Sequence, residues 1–126
     1  MVGKKKIILV VDDASTNLQI VYNTLNKEFD VRLAKSGSIA LIELSRTVPD
    51  LILLDIEMPR ISGFDVLKSI QDNPKLRSIP VVFLTSHAEM NTVMTALQQK
   101  GVKDYIVKPF EPEDLRGRVH KALGIK

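Results

Sequence analysis

The sequence predicts one α/β domain in which five parallel strands alternate with five helices. Two observations predict this fold class. Short runs of consecutive apolar residues recur along the chain, and strands buried on both faces of a parallel sheet have this pattern. Stretches with apolar residues three and four positions apart lie between the runs, which is the spacing of amphipathic helices. We therefore expect a doubly wound sheet with helices on both faces.

The first three elements are a strand, a helix and a second strand. The first strand is predicted at Lys6 to Val11, and its apolar run, Ile7 to Val11, ends at the acidic pair Asp12-Asp13. The helix after it has an apolar face formed by Leu18, Val21, Tyr22 and Leu25. Asp30 to Ala34 alternates apolar residues with Arg32, which is typical of a strand at the edge of a sheet.

The next three elements centre on a wholly apolar strand. The second helix begins after Ser36-Gly37 and is marked by Ile39, Ala40, Ile42, Glu43 and Leu44. Val48-Pro49 ends it, because a proline disfavours helical conformation in the residue before it. Leu51 to Leu54 precedes Asp55 and predicts the central strand. The loop from Ile56 to Gly63 then leads into a third helix, marked by Phe64, Leu67 and Ile70.

The last four elements are two strands and two helices. Val81 to Leu84, followed by Thr85-Ser86, predicts the fourth strand. A helix over Glu89 to Lys100 ends at Gly101 and has a thin apolar face, formed by Val93, Met94, Ala96 and Leu97. The last strand and helix are predicted at Asp104 to Val107 and Glu111 to Leu123.

Composition narrows the class of protein. The 126 residues, 44% hydrophobic and 26% charged, predict a globular protein formed by a single domain over residues 1–126. The chain has no cysteine, which excludes disulfides and thiolate metal sites and fits a cytoplasmic location. No apolar run approaches the roughly 20 residues of a membrane span. We therefore expect no membrane insertion. The net charge is +3, but the lysines and arginines are scattered along the chain and are not interleaved with aromatic residues, so we do not expect direct nucleic-acid binding.

Polar residues follow the strands directly, and the fold brings them together. The strand order 2-1-3-4-5 of flavodoxin-like sheets places the first strand beside the third. Because parallel strands share one carboxyl edge, Asp12 and Asp13 are expected beside Asp55, with Thr85 and Lys108 at the same edge. Taken together, these groups predict a metal-assisted site for phosphoryl chemistry.

The acidic residues have a specific requirement. Carboxylates about 4 Å apart repel by roughly 1 to 4 kcal/mol at effective dielectric constants of about 80 down to 20, so a cluster needs a cation. Oxygen ligands favour Mg²⁺, and Mn²⁺ would be tolerated. A carboxylate such as Asp55 can attack phosphorus and form an aspartyl phosphate. Three structural alternatives stay open at this point. Asp12-Asp13 could cap the next helix, Lys108 could be an ordinary surface lysine, and Thr85 could be an ordinary strand residue.

The positions together resemble the receiver domains of bacterial two-component response regulators. The resemblance runs from Lys6 to about Leu123 and rests on motifs that occur in order: Asp12-Asp13, Asp55, Met58-Pro59 with Gly63, Thr85-Ser86 and Lys108-Pro109. It implies that Asp55 accepts a phosphoryl group from the phosphohistidine of a sensor histidine kinase or phosphotransfer protein. It further implies that Mg²⁺ is held by Asp13, Asp55 and the backbone carbonyl of Glu57, with Asp12 assisting.

The resemblance also implies how the phosphoryl group is sensed. Lys108 and the amide near Ser86 would steady its oxygens, Thr85 would move toward it, and Tyr105 would rotate inward as the switch aromatic. An ordinary half-buried tyrosine is the alternative for Tyr105. The signal would leave through the surface from Glu89 to Lys121, toward a downstream protein or an effector domain, with dimerisation through that surface left open.

Two further positions are expected to tune the lifetime of the phosphoryl group. Glu57 and His87 lie two residues beyond Asp55 and Thr85, beside the path of the attacking water in this family. His87 could equally be an exposed loop residue. The expected protein is a switch that phosphorylates itself from small donors and slowly loses the group, rather than a turnover enzyme.

Three competing interpretations predict different residues. A haloacid dehalogenase type of hydrolase needs two aspartates separated by one residue, and Asp55-Ile56-Glu57 matches that poorly. A flavodoxin-like cofactor binder needs a phosphate-binding loop after the first strand, where this chain has two aspartates and no glycine. A receiver-like interaction module that is never phosphorylated stays open. The sequence also leaves open whether this is a free-standing receiver or part of a longer regulator.

Overall fold

The structure, a computed structural model, describes residues 4–86 and 90–125, apart from the side chains at positions 90 and 92. Strands and helices alternate through these residues. The strands are β1 (Ile7–Val11), β2 (Asp30–Ala34), β3 (Leu51–Asp55), β4 (Val81–Thr85) and β5 (Val102–Val107). The helices are α1 (Ser15–Leu25), α2 (Gly37–Leu44), α3 (Gly63–Gln71), α4 (Met90–Gln98) and α5 (Pro112–Leu123).

All five strands are parallel and form one sheet in the order β2-β1-β3-β4-β5. This confirms the predicted doubly wound, flavodoxin-like fold and the edge position of β2. Every residue of β3 and of β4 is buried, as their apolar sequences require of strands inside a parallel sheet. The order places β1 directly beside β3, and the two carboxyl ends therefore meet.

The core consists of two apolar layers, one on each face of the sheet. Alternate strand residues such as Leu9, Ile52 and Phe83 face one layer, which α2, α3 and α4 cover. The intervening residues, such as Ile8 and Leu53, face the other, which α1 and α5 cover. Since successive strand side chains point to opposite faces, one apolar run supplies both layers. No helix among the described residues is both long and apolar enough to cross a membrane.

The sequence prediction was wrong about the start of β5. The strand begins at Val102, two residues before the predicted Asp104. Its register with β4 pairs Val81 with Val102 and then Val82 with Asp104, so Lys103 is an extra residue at an irregularity. An extra residue interrupts the alternation of side chains from which strand ends are predicted.

The predicted apolar faces of three helices are narrower than expected. Ile39 and Ile42, which marked α2 in the sequence, are exposed. Met94 and Leu97 of α4 and Tyr22 of α1 are exposed, and among the described side chains of α4 only Val93 and Ala96 are buried. A helix that rests on a sheet buries only the stripe that faces the sheet, so apolar residues beside that stripe stay exposed. Glu89, where the fourth helix was predicted to start, lies outside the described residues.

The loop between β3 and α3 is fixed from both ends. Ser62 caps α3 by accepting a hydrogen bond from the Asp65 amide, and the Asp65 carboxylate accepts one from the Ser62 amide. The Gly63 amide donates to the Ile56 carbonyl at 2.9 Å. The first turn of α3 therefore packs directly against the end of β3, where Asp55 lies.

Candidate functional site

Four polar side chains converge at the carboxyl edge of the sheet. Asp12 directly follows β1, Asp55 ends β3, Thr85 ends β4 and Lys108 follows β5. Asp12, Asp55 and Thr85 are buried, whereas Asp13 is exposed. One carboxylate oxygen from each of Asp12, Asp13 and Asp55 lies within 4.8 Å of the other two. The edge thus gathers three carboxylates around one spot, as the strand order predicted.

The ammonium of Lys108 bridges two of these carboxylates. Its Nζ lies 2.9 Å from Asp12 Oδ2 and 3.2 Å from Asp55 Oδ2, and only 15% of the side chain is exposed. The backbone positions it, because the Lys108 amide donates to the Thr85 carbonyl at 2.8 Å. Lys108 was predicted at this edge of the sheet, but its contact with Asp12 was not. The interpretation of Lys108 as an ordinary surface lysine is therefore wrong.

Asp12 is held by further donors at the start of α1. Its Oδ1 accepts a hydrogen bond from the Ala14 amide at 2.9 Å. Asn17 Nδ2 approaches Oδ1 and Oδ2 at 3.4 and 3.3 Å, a role that sequence reasoning missed. Its position in the first turn after the acidic pair could have suggested it. The N-cap of α1 is Ala14, whose own side chain makes no cap hydrogen bond, so neither aspartate is the N-cap residue. Asp12 nevertheless accepts the amide of that N-cap residue, so it serves the start of the helix as well as the site.

Asp55 has an unusual electrostatic environment. Burial, and next the charge of Asp12, raise the pKa of Asp55 to about 7 from its ordinary value of 3.8, against the opposing effect of Lys108. Burial lowers the pKa of Lys108, but its hydrogen bond to Asp12 and the charge of Asp55 outweigh that and raise the pKa overall. Asp55 Oδ1 accepts a hydrogen bond from the Glu57 amide at 3.2 Å. Oδ2 is buried and, apart from its ion pair with Lys108, accepts no hydrogen bond from the residues described.

Thr85 and Glu57 lie on neighbouring strand ends and contact each other. The register pairs Asp55 with Leu84, so Thr85 lies one residue further along the sheet than Asp55. The Thr85 hydroxyl donates to Glu57 Oε1 at 3.4 Å, and the Ser86 hydroxyl donates to the same oxygen at 3.4 Å. The carboxylate of Glu57 therefore reaches the rim of the site. The prediction for His87 falls outside the described residues.

Tyr105 lies on β5 and is partly buried. It pairs in register with Phe83 of β4, two residues before Thr85, and packs against the core layer under α2, α3 and α4. The guanidinium of Arg118 from α5 lies 5.8 Å from the centre of its ring. The position of the ring therefore depends both on its neighbours in β4 and on Arg118 of α5.

The donor set fits a hard divalent cation. The residues that cluster are all carboxylates, and Asp13 leaves one side of the cluster open to solvent. Asp55 Oδ2 is buried, pairs with the Lys108 ammonium and accepts no hydrogen bond from the residues described. This oxygen therefore has a lone pair left with which to coordinate a cation that prefers oxygen ligands. The site therefore fits Mg²⁺, and Mn²⁺ shares the preference for oxygen ligands.

Known proteins are similar to this chain in sequence. The response regulator receiver domain family matches residues 8–120. Chemotaxis protein CheY1 of Helicobacter pylori is 36% identical over 120 residues, which cover 93% of this chain and 96% of that protein. A probable cyclic di-GMP phosphodiesterase of Vibrio cholerae is 37% identical over 116 residues, which cover 92% of this chain.

A solved structure shows the same fold with a metal ion. The receiver domain of sensor histidine kinase PA1611 from Pseudomonas aeruginosa, with a magnesium ion coordinated in its active site cleft, superposes with a TM-score of 0.85 at 27% identity. The superposition covers 95% of this chain and 98% of that domain.

The relatives differ in length. The matched region spans only 26% of the Vibrio cholerae protein but nearly all of the Helicobacter pylori one, so chains of this kind occur both alone and within larger proteins. The match over residues 8–120, together with the acidic cluster at the sheet edge, shows the family. The chain belongs to the receiver domains of two-component response regulators.

Proposed function

We propose that this chain is a phosphoacceptor switch in which Asp55 receives the phosphoryl group. The observation that carries the proposal is the buried Asp55 carboxylate at the end of β3, paired with Lys108 and close to Asp12 and Asp13. Receiver domains act as signalling switches rather than as turnover enzymes, and they interact with histidine kinases or phosphotransfer proteins. The donor for this chain would be the phosphohistidine of such a protein.

In the transfer step, an Asp55 carboxylate oxygen forms a bond to phosphorus as the bond between phosphorus and the histidine nitrogen breaks. The electron pair of that bond stays on the imidazole, which leaves with the donor protein. Lys108, already 3.2 Å from Asp55 Oδ2, would move its charge to a phosphoryl oxygen. The protein's contribution is positioning and charge stabilisation, as in phosphoryl transfer generally.

Mg²⁺ would be held by Asp13, Asp55 and the backbone carbonyl of Glu57, with Asp12 assisting directly or through water. When bound, the ion offsets the negative charge that accumulates on the phosphoryl oxygens. Asp12 is held by Lys108 and Asn17, which keeps its carboxylate facing the site. Mn²⁺ would serve in the same place.

The output would be a population shift. Thr85, and the amide near Ser86, would contact the phosphoryl group in one conformation and not in the other. Tyr105 would follow Thr85, and the surface from Glu89 to Lys121 would carry the change to a downstream protein, an effector domain or a second copy of the chain. A single receiver domain over residues 1–126 and a cytoplasmic location stay predictions from the sequence.

Phosphorylation from a small donor tests this proposal. With acetyl phosphate and Mg²⁺, the wild-type protein is expected to gain the mass of one phosphoryl group, which a chelator prevents and which alkaline treatment removes. Intact mass spectrometry, followed by peptide mapping after borohydride reduction, checks whether the group is on Asp55. Absence of any gain, with Mg²⁺ binding intact, would favour the interaction module that is never phosphorylated.

Loss of the Glu57 carboxylate is expected to change the lifetime of the phosphoryl group. Glu57 Oε1 lies at the rim, in contact with the hydroxyls of Thr85 and Ser86, where a water approaching Asp55 would pass. Dephosphorylation rates of Glu57→Ala and His87→Ala, each followed after removal of the donor, check this. Glu113→Ala removes an exposed carboxylate on α5 and should leave the rate unchanged. Rates equal to wild type in both rim variants would contradict the tuning role.

A further inference from the structure

Arg118 of α5 makes an unusually concentrated set of contacts with β5. Its Nη1 donates to Asp104 Oδ1 and Oδ2 at 2.8 and 2.9 Å and to the Tyr105 carbonyl at 3.2 Å. Its Nε donates to Asp114, one turn earlier on α5, at 3.1 Å. The same guanidinium lies 5.8 Å from the centre of the Tyr105 ring, within the range of a cation–π contact. Through this one side chain, α5 contacts the carboxylate of Asp104 and both the backbone carbonyl and the ring of Tyr105.

These contacts reach toward the candidate site through the strands. Tyr105 pairs with Phe83 and Val107 pairs with Thr85, so the ring lies two residues before the strand ends that carry Thr85 and Lys108. In the same conformation the Thr85 hydroxyl contacts Glu57. A change in the position of the ring would therefore alter the space available to Thr85.

We propose that Arg118 is a positioning residue that holds the Tyr105 ring where it lies in the unphosphorylated protein and thereby opposes the switch. This inference rests on the proposed function, in which Tyr105 moves when Thr85 turns toward the phosphoryl group. A contact made in one conformation and lost in the other shifts the population toward the first. Removal of Arg118 should therefore favour the conformation that binds the phosphoryl group.

The chemistry of arginine suits this role. Its planar fork can pair with a carboxylate and present a flat cationic face to a ring, whereas the compact ammonium of lysine cannot reproduce both contacts. Asp104 and Asp114 anchor the fork from β5 and α5. The Arg118 side chain is 36% exposed, and ion pairs of such exposure contribute little to stability. Its effect is therefore expected mainly in the switching equilibrium.

Tyrosine fluorescence can report on this ring directly. The chain has two tyrosines and no tryptophan, so Tyr22→Phe leaves Tyr105 as the sole emitter. In that background the protein is titrated with beryllofluoride, a phosphoryl mimic, in the presence of Mg²⁺. With Arg118→Met we expect saturation at a beryllofluoride concentration about threefold to tenfold lower. The emission before titration should also shift toward that of the saturated parent protein.

Arg116 provides a matched control on the same helix. Its side chain is also 36% exposed, but it contacts Glu113 and, at 3.5 Å, the Thr24 carbonyl of α1. Arg116→Met should leave both the affinity and the Tyr105 emission unchanged. Arg118→Lys keeps the charge beside Asp104 and should nevertheless behave like Arg118→Met. In a Tyr105→Leu background, followed by calorimetric titration, Arg118→Met is expected to have no further effect.

The outcomes separate this inference from the proposed function. If Tyr105 emission does not respond although calorimetry shows that beryllofluoride binds, Tyr105 is not the switch aromatic and this inference fails, while the role of Asp55 as phosphoacceptor stands. If beryllofluoride does not bind, the proposed function fails as well. If the emission responds, but Arg118→Met and Arg116→Met give equal affinities, only the role of Arg118 is overturned. A weaker affinity in Arg118→Met overturns it as well. Urea unfolding checks that the variants are folded. If Arg118→Met is not folded, the affinity of Arg118→Lys is compared with that of Arg116→Met instead.

Discussion

Asp55→Asn is expected to abolish phosphorylation and, at the same time, to make the metal-free protein more stable. The amide cannot form the acyl phosphate, so no gain in mass is expected with acetyl phosphate and Mg²⁺. The stability effect follows from electrostatics. The folded protein buries the Asp55 carboxylate near Asp12 and raises its pKa from 3.8 to about 7. The ionised form is therefore disfavoured by folding, and asparagine removes that penalty.

The pH dependence of this gain has a definite sign. A group whose pKa is raised by folding favours the folded state below its unfolded pKa, and this contribution is lost as the pH rises through the folded value. The free energy of unfolding of Asp55→Asn should therefore exceed that of the wild-type protein only slightly below pH 4. The difference should be largest above pH 7, where we expect about 1 to 3 kcal/mol. Urea unfolding at several pH values, without Mg²⁺, measures it.

Two comparisons make the Asp55 prediction specific. Mg²⁺ stabilises the wild-type protein by mass action and should reduce the difference between the two proteins. Asp72→Asn changes an exposed aspartate that pairs with Lys68, and it should alter neither phosphorylation nor the free energy of unfolding by more than about 0.5 kcal/mol. A less stable Asp55→Asn above pH 7 would contradict the proposed balance of charges.

Gly63→Ala is expected to be strongly destabilising. A Cβ at this position would lie 2.3 Å from the Asp55 carbonyl oxygen and 2.8 Å from Ile56 Cα. Both are backbone atoms of the end of β3, so neither can move away as a flexible side chain could. The chain must shift, and we expect a loss of about 2 to 3 kcal/mol in the free energy of unfolding. Because the shift displaces Asp55, phosphorylation from acetyl phosphate should also become slower.

Gly117→Ala is the matched control for this steric effect. Gly117 is exposed in the middle of α5, and a Cβ there has no neighbouring atom within 4 Å. The same substitution should stabilise the protein by about 0.5 to 1 kcal/mol, because alanine is the better helix former. Urea unfolding of both variants measures whether the free energy of unfolding falls for Gly63→Ala and rises for Gly117→Ala. Equal effects would show that the contact with Asp55 does not govern the cost at Gly63.

The sequence carried enough information for the order of the sheet and for most of the site. Apolar runs as short and dense as Leu51 to Leu54 are typical of buried strands, and the acidic residues directly after two of them must share an edge if those strands are parallel. The clustering of Asp12, Asp13 and Asp55 follows from that geometry. The prediction succeeded here because the common direction of the strands and the adjacency of β1 and β3 together decide where such residues lie.

Other features depended on packing that no local pattern contains. The early start of β5 comes from an irregular register with β4, which leaves Lys103 without a place in the alternation. The exposure of Met94 and Leu97 depends on how much of α4 the sheet can cover. The clearance at Gly63 depends on the distance between α3 and the end of β3. Each is a property of two elements in contact.

The sequence by itself determined the fold class and the set of residues that follow the strands, because periodicity and chain direction are local. The strand order was expected from the flavodoxin-like arrangement of such sheets, and the pairing of the strands confirms it. The tertiary structure decided the electrostatics of that edge. Lys108 lies nearer to Asp12 than to Asp55, Asn17 joins the same carboxylate, and Arg118 reaches across from α5 to Tyr105. The contacts of Lys108 and Arg118 join residues far apart in the chain, and their distances depend on how strands and helices pack.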